Sequence, residues 1–536
     1  MDRRRFLIHS TSAAIGAAGF RSCFAQSADS SAKQPLPEGS GASQSEANAP
    51  VAAELVVDLQ SPSHLIPLTY NGLSYELAQL SNPNFFSGAN KELIALFRLL
   101  SPQGILRLGG NSSEFCWFKA DASTLAPGIV PAGGPVAENW MPNKLFQINP
   151  EAVDRLAGFL HASGWQVIYG LNLGHSSPER AVKEAEYVAH AVGDKLLYFQ
   201  IGNEPDFYHN ANNKTRPPNW SFADYLTEWT AFADAVTARV PDARFGGPDV
   251  GSSSNWINQF LAGAAKNLGS RLMAVTGHYY AEGPPDDPKV TTKRLLHTDS
   301  NIAKRTQLIA EAAAKDHVVY RMTEGNSCYR GGKPGMSDAF ASALWAGDYM
   351  LALATAGCAG VNLHGGSREF LRASLGDHMP GELVSKAGSA AKGGYYTPID
   401  GEVASGFSAR PIFYGMFLAN QLAGGNTHAV TLNGLDGANV TAYAVEKDGK
   451  LRIAVFNKDE TRNVQLALRG IPSQQATVWR LVAPALDSTS DVTLCGSGMS
   501  AAGWTPSAPE NLSSAAAEGL SLNLPHASAA LILLEA

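Results

Sequence analysis

The sequence predicts a (β/α)8 barrel of the α/β class, joined to a β-sandwich assembled from both ends of the chain. Three observations predict it. Eight short apolar runs end in small or polar residues, amphipathic stretches separate them, and the texture changes past Leu422 to alternating apolar and polar residues.

The runs are Gly72–Glu76, Gly104–Gly110, Gln166–Gly174, Leu196–Pro205, Arg244–Val250, Met273–Tyr280, His317–Asn326 and Gly360–Gly366. Helical periodicity fills Asn90–Leu100, Pro150–Ser163, Pro178–Val192, Phe222–Val240, Asn301–Lys315 and Met336–Ala356. Near-continuous apolar strands that alternate with helices imply a parallel sheet covered on both faces, and eight such units close into a barrel. An open doubly wound sheet is the rival, but no Gly-rich nucleotide fingerprint follows the first run.

In the tail, Val440–Val445, Leu451–Asn457, Asn463–Leu468, Ala476–Leu481 and Ala529–Leu534 read as strands separated by turn residues. Ala53–Leu59 has the same pattern ahead of the barrel. An antiparallel sandwich from residues 51–70 and 423–536, around a barrel of 71–422, follows.

The chain begins with Arg3-Arg4-Arg5-Phe6-Leu7, a short small-residue apolar run from Thr11 to Phe20, and Ala25 as a cleavage point. This pattern predicts a twin-arginine-like signal peptide over 1–25 and an exported bacterial protein, periplasmic or extracellular. Residues 26–50 are rich in Ser, Ala, Pro, Gly and Gln and read as a disordered linker. No stretch is apolar enough to span a bilayer.

Of 536 residues, 45% are hydrophobic and 17% charged, which is globular, and the net charge of −7 disfavours nucleic acid and anionic membranes as partners. Cys116, Cys328, Cys358 and Cys495 have no metal-ligand spacing and do not define a disulfide framework. No metal or other cofactor is expected. The oligomeric state is left open.

Active sites of such barrels lie at the C-terminal strand ends. The fourth run ends Gln200-Ile201-Gly202-Asn203-Glu204-Pro205, and the seventh ends Arg321-Met322-Thr323-Glu324-Gly325-Asn326. Two carboxylates therefore converge on one mouth. Glycoside hydrolysis needs such a pair: one carboxylic acid protonates the leaving oxygen and one carboxylate meets the anomeric carbon. Their environments must split their pKa values.

Asn203-Glu204-Pro205 with the later Glu324 resembles the clan of (β/α)8 retaining glycosidases. More narrowly, the chain resembles glycoside hydrolase family 79, the β-glucuronidases and heparanases. The matching segments are Leu106–Gly110, Ile201–Pro205, Val275–Tyr280, Thr323–Ser327 with Ser337–Phe340, and Gly393–Tyr396. The resemblance implies Glu204 as acid/base and Glu324 as nucleophile. It also implies that Asn203 binds the sugar 2-hydroxyl, that Tyr279 holds the nucleophile, and that Glu76 and Asn111 bind sugar hydroxyls. A uronate would be received by Tyr329 and by Gly394 with Tyr395 or Tyr396. Asn111-Ser112-Ser113 stands where heparanase-like members show a Thr-Lys-Thr-like run, which argues against endo-action on sulfated chains.

His278 reads equally as a sugar ligand or a structural residue, His175 and His364 also sit at strand ends, and Arg107 reads as ordering the carboxylates from below. Trp117, Trp140, Trp165 and Trp345 are stacking candidates, most of them expected in the core. The expectation is a retaining exo-β-glucuronidase acting on a glucuronic-acid-containing glycoside or oligosaccharide. An endo-acting heparanase-like enzyme, a glycosidase of a neutral sugar and a non-catalytic carbohydrate-binding protein are the alternatives.

Overall fold

The computed structural model describes residues 49–127, 145–210, 215–375, 394–514 and 519–535. The expected signal peptide, nearly all of the expected linker, and Trp140 lie outside the described residues.

Eight parallel strands close into a barrel: Asn71–Glu76, Ile105–Gly109, Gln166–Leu171, Leu196–Ile201, Phe245–Val250, Leu272–Glu282, Val319–Cys328 and Val361–Gly365. They follow one another around the ring, and the eighth pairs back onto the first through Val361 with Asn71. Every run read from the sequence is a barrel strand. Their continuous apolar character reflects burial on both faces, toward the interior and toward the helical layer.

The helices begin where the local chemistry permits. Asn149 accepts the Ala152 N–H, Pro150 opens the helix Pro150–Ser163, and Gly164 closes it at φ 82°. Ser221 and Asp224 form a reciprocal capping box on Phe222–Arg239. The expected helix Met336–Ala356 starts at Phe340, because the Asp338 carboxylate takes the Gly335 N–H into a separate turn. Ser254–Leu268 and Pro411–Asn420 are further helices that the sequence pattern did not single out.

Strands from the two chain ends join in one ten-stranded mixed sheet. The expected antiparallel order holds except at Val51–Asp58, which pairs parallel with Val464–Arg469 and antiparallel with Asn426–Asn433. Leu55, Leu466 and Leu522 share one apolar core with Ile453, Val478 and Ile532 from the other end of the strand order, so the sheet curls on itself. The four cysteines after residue 48 are buried free thiols. Among the described residues no helix is long and apolar enough to cross a membrane.

Barrel and sheet meet across helices Phe340–Thr355 and Pro411–Asn420, apolar almost all round because they lie between the two bodies. A Cβ on Gly415 would stand 1.9 Å from the Ala343 carbonyl oxygen, so these helices approach at backbone distance. At the same junction Asp348 accepts hydrogen bonds from Thr441 Oγ1 and Tyr443 OH, both at 2.6 Å, and pairs with the buried Lys458 Nζ at 2.5 Å. Removing one partner of a buried pair leaves the other charge uncompensated. Lys458→Met is expected to lower the unfolding free energy by about 3 kcal/mol, read by urea denaturation. A loss under about 0.5 kcal/mol would mean that the hydroxyl donors alone carry Asp348.

Candidate active site

Glu204 stands one turn past the fourth strand, and Glu324 lies within the seventh. One oxygen of each lies within 4.8 Å of the other. Glu204 keeps a left-handed backbone, φ 48° and ψ 50°, and Asp249 at the end of the fifth strand has φ 59°. Non-glycine residues held in this region cost about 1–3 kcal/mol and collect at functional sites.

Beneath the pair lies the guanidinium of Arg107, buried in the second strand. Its five N–H donors meet five acceptors. Nε donates to Gln200 Oε1 at 3.1 Å; Nη1 to Ser74 Oγ at 3.1 Å and Glu324 Oε2 at 2.6 Å; Nη2 to Asn203 Oδ1 at 2.7 Å and to Asp249 Oδ2. Gly109 leaves the room, since a Cβ there would stand 2.1 Å from Arg107 Cζ. Asp249 is further held by Gln200 Nε2 at 2.7 Å and Thr323 Oγ1 at 2.6 Å.

Two imidazoles flank the carboxylates. His278 Nδ1 lies 3.0 Å from Glu204 Oε1, and its Nε2 lies 3.0 Å from Asp249 Oδ1. His364 Nε2 lies 3.3 Å from Glu76 Oε1, its Nδ1 3.0 Å from Ser74 Oγ and 3.7 Å from Glu324 Oε2. The Tyr280 hydroxyl donates to Glu324 Oε1 at 2.7 Å.

The electrostatics separate the two glutamates. Burial alone would raise Glu324, but the charges of His364, His278 and Arg107 and the Tyr280 hydroxyl hold it well below the usual carboxylate range. Burial raises Glu204 above that range, with the charges of Glu324 and Asp249 adding to it and His278 opposing. Burial disfavours a charge on His278, yet the Asp249 and Glu324 carboxylates and the contact with Glu204 lift it to about 10. It is therefore an imidazolium at neutral pH. The surroundings thus push the two carboxyls in opposite directions, Glu204 up and Glu324 down, the division that acid-assisted displacement requires.

The structure brings most of the expected residues together and corrects one. Tyr279 does not reach Glu324: its hydroxyl donates to Asp299 Oδ2 at 2.7 Å, and its ring stacks on Tyr349 at 5.5 Å outside the barrel. Side chains alternate along a strand, so Thr276, His278 and Tyr280 share the inner face and Tyr279 points away. Glu76 is buried and accepts from Ser112 N at 2.9 Å and Oγ at 2.6 Å. Asn111, half-buried, points its Nδ2 toward the Ser374 carbonyl at 3.5 Å. Asn203 faces Arg107. Tyr329 lies 6.4 Å from the Tyr280 ring, and Tyr396 lies 6.3 Å from Tyr280 and 5.8 Å from His364. Gly394 (φ 67°) accepts the Thr397 N–H, and Tyr395 is half-buried beside Arg368. Sequence reading missed Asp249, Gln200, Thr323 and Glu114. For Gln200 and Thr323 the available signal was a polar residue inside an apolar run, whereas Asp249 and Glu114 carry no such local signal. Trp165 is a core residue whose indole donates to Ser101 O at 2.8 Å, and Trp345 is buried against Tyr349.

Glu204, His278 and Glu324 are close enough to be read as metal ligands. The donor set fits poorly, because a guanidinium and a phenol already occupy the Glu324 oxygens and His278 carries a proton on each nitrogen.

A (β/α)8 barrel with a carboxylate pair of glycosidase type is thus the class that fold and site define. No family model matches the chain. It is 29% identical over 316 residues, 54% of its own length and 55% of the relative's, to a protein named β-glucuronidase from Aspergillus niger. It is 26% identical over 349 residues, 59% and 60% of the two lengths, to another of that name from Neurospora crassa. The chain spans little more than half the length of these relatives, at 55% and 60%. Among solved structures it is similar to a 4-O-α-L-rhamnosyl-β-D-glucuronidase from Fusarium oxysporum, with TM-score 0.68 and 18% identity over 90% of this chain and 100% of that one. A GH51 arabinofuranosidase from Xanthomonas axonopodis pv. citri shares the fold at TM-score 0.57 and 16% identity, again over 90% and 100%. The chain is β-glucuronidase-like in sequence and glycoside-hydrolase-like in fold.

Arg107→Met would leave Asp249 and Glu324 buried without their shared cation. We expect a loss of about 3–5 kcal/mol at pH 7, read by denaturant unfolding. The unpaired carboxylates would then titrate above their usual range, so the deficit shrinks as pH falls toward 5. A deficit that is flat in pH would show that Arg107 contributes packing alone.

Proposed function

We propose that the chain is a retaining β-glucuronidase that removes terminal β-D-glucuronate, with Glu324 as nucleophile and Glu204 as acid/base. The observation that carries the reading is the pair of carboxyls with one oxygen of each within 4.8 Å, Glu324 held ionised and Glu204 pushed upward toward its protonated form. A separation near 5 Å suits direct attack, whereas inverting pairs stand about 6.5–9.5 Å apart to admit a water. The glucuronide preference is supported by the two β-glucuronidase relatives and by the phenols of Tyr329 and Tyr396 near Tyr280. Neutral phenols can receive a carboxylate through charge-assisted hydrogen bonds.

In the first step Glu324 attacks the anomeric carbon while Glu204 protonates the departing oxygen. In the second, Glu204, now ionised, draws a proton from the water that displaces Glu324. Asn203, Glu76 and Asn111 are assigned to sugar hydroxyls. We assign residues 71–422 to the catalytic barrel and 51–70 with 423–536 to the sheet body. The amino-terminal arginine pair supports export.

The test is nitrophenol release from p-nitrophenyl β-D-glucuronide against the matching glucoside and xyloside. Wild type is expected to turn over the glucuronide and to release the β-anomer first by proton NMR; Glu324→Gln is expected to be inactive. Preferential action on a neutral sugar would end the uronate assignment, and first release of the α-anomer would end retention.

The pH profile gives a second check. With Glu324 ionised far into acid, kcat/KM falls on the alkaline side as Glu204 loses its proton, above the ordinary glutamate range. His278 opposes that rise, so His278→Gln is expected to move the alkaline limb to higher pH. A downward move would contradict the role assigned to the imidazolium.

A further inference from the structure

We infer that Glu114 is a positioning residue for the proton-transfer step, its buried carboxylate pinning the turn that carries Glu204. The inference rests on the reading of Glu204 as acid/base. Glu114 lies in the short helical turn Asn111–Phe115 after the second barrel strand, 2% exposed. Its Oε1 accepts the Asn203 N–H at 2.6 Å, and its Oε2 accepts the Gly174 N–H. Its own carbonyl oxygen stands 2.8 Å from His175 Nδ1. One side chain therefore binds the ends of the second, third and fourth strands together. The fit is close, because a Cβ on Gly174 would lie 2.8 Å from Glu114 Oε2.

The turn needs such restraint. Glu204 is left-handed without being glycine, and that conformation persists only where the surroundings over-determine it. Its N–H is held by the Asp249 carbonyl at 2.9 Å. On the far side the Asp206 carboxylate accepts the N–H groups of Gly251, Ser252 and Ser253 at 2.9, 3.1 and 3.1 Å. Glu114 secures the near side at Asn203. An amide in its place would point an N–H at the N–H of Gly174 or Asn203, and the repulsion would release the turn at the residue before the acid. Attack by Glu324 would be spared, since Arg107 and Tyr280 hold that carboxylate and Arg107 also keeps the Asn203 side chain in place.

The leaving group separates these two effects. A phenol needs Glu204's proton to depart, whereas a dinitrophenol departs as an anion without it. kcat/KM reports only the glycosylation step, so slower deglycosylation does not enter. Wild type, Glu114→Gln and Glu114→Asp are compared on phenyl and 2,4-dinitrophenyl β-D-glucuronide. Glu114→Gln is expected to lose about 100-fold on the phenyl substrate and less than about threefold on the dinitrophenyl one. Glu114→Asp, which keeps the charge one methylene short, should fall between.

Equal losses on both substrates would overturn the inference. If circular dichroism finds Glu114→Gln unfolded, the substrate ratio of Glu114→Asp decides instead. If wild type acts on neither substrate, the glucuronidase reading falls. A crystal structure of Glu114→Gln or Glu114→Asp then judges the positioning claim, which an unmoved Asn203–Glu204 turn would overturn.

Discussion

A buried cation shared between two buried carboxylates fixes everything else at the barrel mouth. Asp249 and Glu324 approach Arg107 from different strands, and without that guanidinium each would be driven toward its neutral form by desolvation. Arg107 and the His278 imidazolium face Asp249 and Glu324, and burial together with the charges of those two carboxylates disfavours a further negative charge on Glu204. Both effects favour its protonated form, and His278 opposes them. The position of the proton is a property of the group of five side chains and cannot be assigned to Glu204 alone.

The rest of the mouth serves to hold that group in place. Ser74, Gln200, Thr276 and Thr323 add hydroxyl and amide contacts, and two of these, Gln200 to Thr276 and Thr323 to Asp249, join strands that are not neighbours in the ring. His364 repeats on the nucleophile side the bridge that His278 makes on the acid side, joining Glu76 to the surroundings of Glu324. Glu204 and Glu324 thus each have an imidazole and a second carboxylate behind them. Such satisfied polar networks are rigid because any member left alone in low dielectric is costly.

The barrel was legible because each strand is a continuous apolar run, a pattern set by burial on two faces rather than by distant contacts. Glu204 and Glu324 were legible because they end such runs, and Arg107 because a cation inside a strand has few uses. Tyr280 was misplaced by one residue, to Tyr279. Adjacent tyrosines carry the same local signal, and only the inward parity of His278 separates them. Asp249 and Glu114 were hidden by their ordinary settings, Gly-Pro-Asp and Ser-Glu-Phe, whose meaning comes from partners 142 and 89 residues away. The parallel pairing of Val51–Asp58 was hidden as well, since an isolated strand does not declare its direction.

That last pairing has a bearing on how the chain is made. Val51–Asp58 is an interior strand of the sheet, yet both its neighbours lie near the other end of the polypeptide; Glu54 meets Arg469 across 415 residues. At ribosomal rates of about 5–20 residues per second, roughly 20–80 s separate the synthesis of the two. For that interval an apolar strand has two unpaired edges, the state most prone to pair with the wrong chain. The barrel can complete its ring before the sheet has its last strands. The curled sheet is therefore a late closure, and a pause or truncation before Asn426 would leave a barrel carrying an adhesive amino-terminal strand.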